Sequence, residues 1–161
     1  MKTLNPFDYI LAAILLVGAF IVLPWSFNAW NAHPAPQSVL GISSIPWTQI
    51  DDILCKAKSP ACGTGQTLSN EGWNNDIDAS FALAVFHEGS NYGKLACNPT
   101  PACITFKGTW AQSYATWYAT IKTQYVKHGI TTIPAILSAM APPNETQYAQ
   151  AVNTSMSTWR A

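Results

Sequence analysis

Asp76-Ile77-Asp78-Ala79-Ser80-Phe81-Ala82-Leu83-Ala84-Val85-Phe86-His87-Glu88-Gly89 reads as a short, unusually apolar helix with its own punctuation. Asp78 is a good N-cap, because its carboxylate can accept a backbone N–H of the first turn. Gly89 is placed to end the helix. Between them Phe81, Leu83, Ala84, Val85 and Phe86 leave no polar side to face water. A helix over 79–88 is therefore central and buried. A chain built around it is mainly α.

Working outward, the other elements are also helical. The pattern predicts a helix from about Pro46 to Lys58, with Ser44 as its cap and Ile50, Ile53 and Leu54 on one face. Trp110, Tyr114, Trp117, Tyr118, Ile121 and Tyr125 recur at three- and four-residue intervals, which predicts a helix from Thr109 to His128, stopped at Gly129. A further helix spans Thr132 to Met140. The last starts at Asn144, with Gln147 as a capping-box partner, and turns Tyr148, Val152, Met156 and Trp159 inward. Only Ala102 to Phe106 has strand character, enough for one edge of a small β-hairpin. These elements make one domain over 46–161, with a charge-free, proline-punctuated linker over 31–45.

The N-terminus is different. No charged residue occurs between Asp8 and Asp51, and Tyr9 to Leu23 is an apolar run followed by Trp25, Phe27 and Trp30. Fifteen helical residues rise about 22 Å, short of the roughly 30 Å hydrocarbon core, but Phe7 and the tryptophan belt extend the reach. Residues 1–30 are read as a membrane anchor with residues 7–30 in the bilayer; a cleaved signal peptide is the rival reading. Lys2, ahead of the run, favours the N-terminus inside and the domain outside the cytoplasm. Cysteine usage agrees with an extracytoplasmic setting. Cys55 with Cys62 and Cys97 with Cys103 is the simplest of three pairings, worth about 2–3 kcal/mol for each short loop closed. Spacings of seven and six fit zinc poorly, so no metal is expected.

Eight Lys+Arg balance eight Asp+Glu, and only 10% of the 161 residues are charged. That balance argues against nucleic acid, which demands many cationic contacts to phosphate. The 48% hydrophobic content argues against disorder. Asn, Gln, Ser and Thr do most of the solubilising, which suits contact with neutral sugars.

One residue stands out chemically. Glu88 closes the buried helix, where apolar neighbours and the negative end of the helix dipole both penalise its carboxylate. A carboxyl group so placed suits a general acid. Other chemistries fit less well. His87-Glu88 lacks the second histidine of His-Glu-x-x-His, since Asn occupies position 91. Local pairing uses all four cysteines, and Ser90 has no nucleophile elbow around it. His33, His87 and His128 read as surface or packing residues. No cofactor is called for.

The stretch from Asp76 to Glu88 resembles the catalytic-helix signature of bacterial and phage glucosaminidases of the lysozyme-like superfamily, which cleave the glycan strand of peptidoglycan. Three other stretches resemble the same group in the same order. These are Ser59-Pro60-Ala61-Cys62-Gly63-Thr64-Gly65; Trp110 with Trp117-Tyr118, Tyr125 and Gly129-Ile130-Thr131-Thr132; and Ala141-Pro142 with Tyr148, Val152 and Trp159-Arg160. The resemblance covers residues 45–160 and implies a lysozyme-like fold with Glu88 as general acid. It also implies sugar stacking by Tyr92, Trp110, Tyr114 and Tyr148, while Trp117 and Tyr118 belong to the core. The chain departs from the group at Gly89, where serine is usual, at Met140, where tyrosine precedes Ala-Pro, and in the short segment from Asn98 to Phe106. Asp76, Asp78 and Glu145 are the candidates for a second carboxylate, with Asp78 better used as a cap. One-acid mechanisms, aided by the N-acetyl group or 6-hydroxyl of the substrate, need Glu88 alone.

Two functions follow as expectations. The first is a membrane-anchored enzyme cleaving peptidoglycan strands, as hydrolase or lytic transglycosylase, in a cell envelope or a virion membrane. The second is a non-catalytic relative that binds glycan or braces an envelope or viral assembly.

Overall fold

The computed structural model describes residues 37–97, 101–140, 142 and 144–161. The N-terminal apolar run, anchor or signal peptide, lies outside them. No helix among the described residues is long and apolar enough to cross a membrane. The class is mainly α. In chain order the helices are α1 (Trp47–Lys56), α2 (Gly65–Asn75), α3 (Ala79–Ser90), α4 (Trp110–Gln124), α5 (Ile133–Met140) and α6 (Glu145–Arg160), with a 3-10 turn at Val126–His128.

Helix α3 is the axis of the core. Every residue from Ala79 to Phe86 is buried, as its all-round apolar pattern requires. Each large side chain shielded in this way contributes about 1.5–3 kcal/mol relative to exposure. Helices α2 and α6 pack along it. The rings of α4 reach it from another side, Trp117 on Phe81 at 5.8 Å and Tyr114 on Phe86 at 6.1 Å. Asp78 caps the helix through its Oδ1, which accepts the Ser80 N–H at 2.8 Å. Gly89, expected to end the helix, does not. The helix runs on to Ser90 and is closed by Asn91 in the left-handed conformation. The glycine answers to a different constraint: a Cβ there would lie 2.7 Å from the Ala102 carbonyl oxygen and 3.1 Å from Cys103 Cβ. Residues 102–103 therefore lie directly on the last turn of α3.

Several expectations are corrected. Ala102–Phe106 is not a strand, because its neighbourhood offers no ladder. Instead the Tyr148 hydroxyl donates to Ala102 O at 2.6 Å and Trp117 Nε1 donates to Pro101 O at 2.8 Å. Among the described residues β pairing is limited to isolated bridges, Ser38 with Thr132, Leu40 with Ile77 and Lys107 with Thr109. Ser44 does not cap α1. Pro46 precedes that helix, and Ser44 hydrogen-bonds Asp78 and Ser80 instead. Asn144 begins α6 from the left-handed region without a side-chain cap, so the capping box with Gln147 is not made. Helix α2 was not anticipated. Its apolar signal is weak because it packs through glycines: a Cβ at Gly65 would meet Asp51 N at 2.6 Å, and one at Gly72 would meet Ile77 O at 2.7 Å.

The linker reading also yields at its C-terminal end. Val39 and Ile45 are buried, Val39 N–H donates to Thr131 O, and Asp78 N–H donates to Val39 O, both at 2.8 Å. Residues 37–40 thus thread between the entrances of α3 and α5. Arg160 locks that thread. Its guanidinium donates to Asp78 Oδ2 at 2.8 Å, Gln37 Oε1 at 2.7 Å and Ser44 Oγ at 2.7 Å. Both disulfides, Cys55–Cys62 and Cys97–Cys103, pair locally.

Candidate active site

The last turn of α3 carries the candidate site. Glu88 is neither sunk in the core nor open to solvent: its side chain retains 21% of its possible exposure. One carboxyl oxygen, Oε1, receives two contacts. Ser155 Oγ on α6 donates to it at 2.9 Å, and His87 Nδ1 lies 2.7 Å away. His87 Nδ1 and Ser155 Oγ are themselves 3.2 Å apart, so the three groups form a closed triangle.

Backbone geometry after α3 shapes this corner. Asn91, Tyr92 and Gly93 all have positive φ, at 48°, 58° and 77°. Tyrosine in that region costs of order 1–3 kcal/mol, and such strain persists only where the surroundings enforce it. Ser59 Oγ does so in part by donating to Tyr92 O at 2.7 Å. The bend returns the Tyr92 ring to α3, where it stacks on His87 at 4.6 Å and meets Phe86 edge-on at 6.3 Å. Trp159 of α6 approaches the imidazole edge-on at 6.3 Å. Burial, and secondarily the Glu88 charge, pushes the Tyr92 hydroxyl up to about 12. The same two causes raise the Tyr148 hydroxyl above its ordinary value.

The four aromatic residues expected to stack on sugars have separate fates. Tyr114 is fully buried, its hydroxyl 2.9 Å from Thr64 Oγ1, so it offers no ring face and belongs to the core. Tyr92 is 7% exposed and serves as a wall behind His87. Tyr148 is partly buried and spends its hydroxyl on Ala102 O and, at 3.5 Å, on Val85 O. Trp110 alone of the four lines a described cleft. Its Nε1 donates to Pro60 O at 3.0 Å while its ring packs on Phe86 and Phe106. That cleft, about 270 Å³, runs from Ser90 and Gly93 past Lys94 to Thr105 and Phe106. A second, about 260 Å³, lies across residues 101–107 on the flank of α4, over Trp117. Glu88 lines neither, though the first begins two residues beyond it.

None of the three candidates for a second carboxylate reaches Glu88. Asp78 is ten residues away along α3, about 15 Å of helix rise, against the 5–9.5 Å that separates paired carboxyls in two-acid glycosidases. It is also committed to capping and to Arg160. Asp76 lies beyond it as the left-handed cap of α2. Glu145 opens α6, ten residues before Ser155. The arrangement can therefore position one carboxyl group and exchange one proton there. No group of three or more His, Cys, Asp or Glu among the described residues is arranged to hold a metal ion.

Sequence reasoning found Glu88 and missed both of its partners. His87 looked like a surface or packing residue. Ser155 carried a faint signal as a small polar residue on the stripe Tyr148–Val152–Ser155–Trp159, which otherwise faces inward. No protein-family model, no curated protein and no solved structure matches this chain.

Proposed function

We propose that this chain is a lysozyme-like enzyme that cleaves the glycan strand of peptidoglycan, with Glu88 as its general acid. The observation that carries the reading is the partly exposed Glu88 carboxyl group at the dipole-opposed end of a helix buried from Ala79 to Phe86, held through one oxygen. Such a placement is poor for stability and suited to proton delivery. In the reaction, the Glu88 proton passes to the glycosidic oxygen as its bond to the anomeric carbon breaks, and the departing sugar leaves with a hydroxyl. The electron-poor carbon is taken by the substrate's own N-acetyl oxygen or 6-hydroxyl. Glu88, now a carboxylate, recovers a proton from the incoming water or from that 6-hydroxyl. One acid suffices for either course, which agrees with the distant Asp78. The domain acts outside the cytoplasm, tethered through residues 7–30 to a cell or virion membrane.

A second reading, a glycan-binding or assembly-bracing relative without catalysis, draws support from the Trp110 cleft, which Glu88 does not line. One experiment separates the two. Wild-type protein and Glu88→Gln are run in gels containing cell walls. The catalytic reading expects a clear zone only for wild type, with a loss of about 10²–10⁴-fold in rate for the variant and unchanged melting. Equal clearing by both, or by neither, overturns it. Undiminished sedimentation of both proteins with insoluble walls then supports the second reading.

A further inference from the structure

We propose that His87 and Ser155 are positioning residues that fix Glu88 through Oε1 and so confine its transferable proton to Oε2. This rests on the reading of Glu88 as an acid. A carboxyl oxygen has two lone-pair sites in the plane, and here two polar groups lie within reach of them. Ser155 Oγ–H donates at 2.9 Å, and His87 Nδ1, 2.7 Å away, fills the second site when the ring carries its hydrogen on that nitrogen. An oxygen so occupied cannot also carry the proton without giving up a hydrogen bond. The protonated acid therefore presents Oε2–H, and after transfer the two donors remain on the anion, where such bonds are strongest.

The imidazole is itself fixed. Tyr92 stacks on one face at 4.6 Å with planes 23° apart, and Trp159 meets it at 61°. The strained Asn91–Tyr92 bend thereby acquires a purpose, since it delivers the ring that seats His87. The titratable groups placed around Glu88 are His87 on its own helix, Tyr92 on the turn that follows and Tyr148 on α6. The two phenols hold their protons to well above neutrality.

The test uses the full chain with Ser155→Ala, Ser155→Thr and His87→Gln. Alanine is the better helix former, so Ser155→Ala keeps α6. Two readouts are taken. Nitrogen NMR of the neutral His87 ring should find hydrogen on Nδ1 in wild type, whereas Glu88→Ala should release it to the Nε2–H form usual for free imidazole. This outcome needs no activity, so it stands even if no wall is cleared. In the wall-clearing assay, Ser155→Ala and His87→Gln should each lower kcat about tenfold with KM little changed and with an altered pH profile. Ser155→Thr, which keeps the hydroxyl, should restore the rate. An Nε2–H tautomer in wild type, or kcat and pH profile unmoved in both variants, overturns the proposal.

Discussion

The two ends of α3 each carry a carboxylate, and they are built in opposite ways. At the N-terminal end Asp78 works with the helix dipole, is almost fully buried, and has both oxygens engaged by Ser80, Ser44 and Arg160. At the C-terminal end Glu88 works against the dipole, keeps part of its surface open, and is engaged through Oε1 alone among the described residues. A saturated, dipole-aligned acid is architecture. An acid in the unfavourable place with a spare oxygen is one that the fold tolerates for another reason.

The largest test of this contrast is alkaline pH, because raised phenols lie at both ends: Tyr118 near Asp78, and Tyr92 and Tyr148 near Glu88. In the unfolded chain a phenol loses its proton near pH 10. The fold holds these protons longer, through about 12 for Tyr92. Stability is therefore complete below about pH 10 and falls above it, where the unfolded state binds fewer protons, by up to about 1.4 kcal/mol per pH unit for each tyrosine. Tyrosinate absorbance and loss of far-UV circular dichroism should appear together in one cooperative step. Gradual ionisation with the helices intact would mean that the rings are open to solvent.

Next in size is Asp78→Ala, which removes a cap and strands the Arg160 guanidinium. We expect a loss of about 3 kcal/mol in urea denaturation, with wall clearing per folded molecule unchanged. That result is the mirror image of Glu88→Gln, and a loss below about 0.5 kcal/mol would erase the distinction between the two ends. Gly89→Ala attacks the other end. Its Cβ would press on Ala102 O and Cys103, costing about 1–3 kcal/mol and lifting residues 101–106 off the site, so clearing should fall beyond what the lost stability explains. The smallest effect is a gain. The Tyr118 hydroxyl is buried without a partner among the described residues, so Tyr118→Phe should stabilise by about 1 kcal/mol. Unchanged or lower thermal stability would show that the hydroxyl is satisfied.

What was legible in the sequence follows from what controls each element. Helices α3 and α4 could be read because their packing is made by side chains, and apolar periodicity records side-chain packing. Helix α2 could not, since Gly65 and Gly72 bring backbones together and leave no apolar stripe. Ala102–Phe106 looked like a strand from its composition, whereas the carbonyls at its start, Pro101 O and Ala102 O, are claimed by side chains of α4 and α6. At the site, Glu88 was visible through its conflict with its own helix. Ser155 was not, because it reaches Glu88 across a separation of 67 residues that no local pattern encodes. Tyr114 was misassigned for a related reason: helical spacing tells which face a ring occupies but not how deep it sits.

Arg160 gathers Gln37, Ser44 and Asp78 into one knot, spanning 123 residues at its widest. During synthesis none of those bonds can form until residue 160 has left the ribosome. Until then the nascent chain holds its buried central helix without the guanidinium that fastens its cap, an interval in which a holdase chaperone would find its substrate.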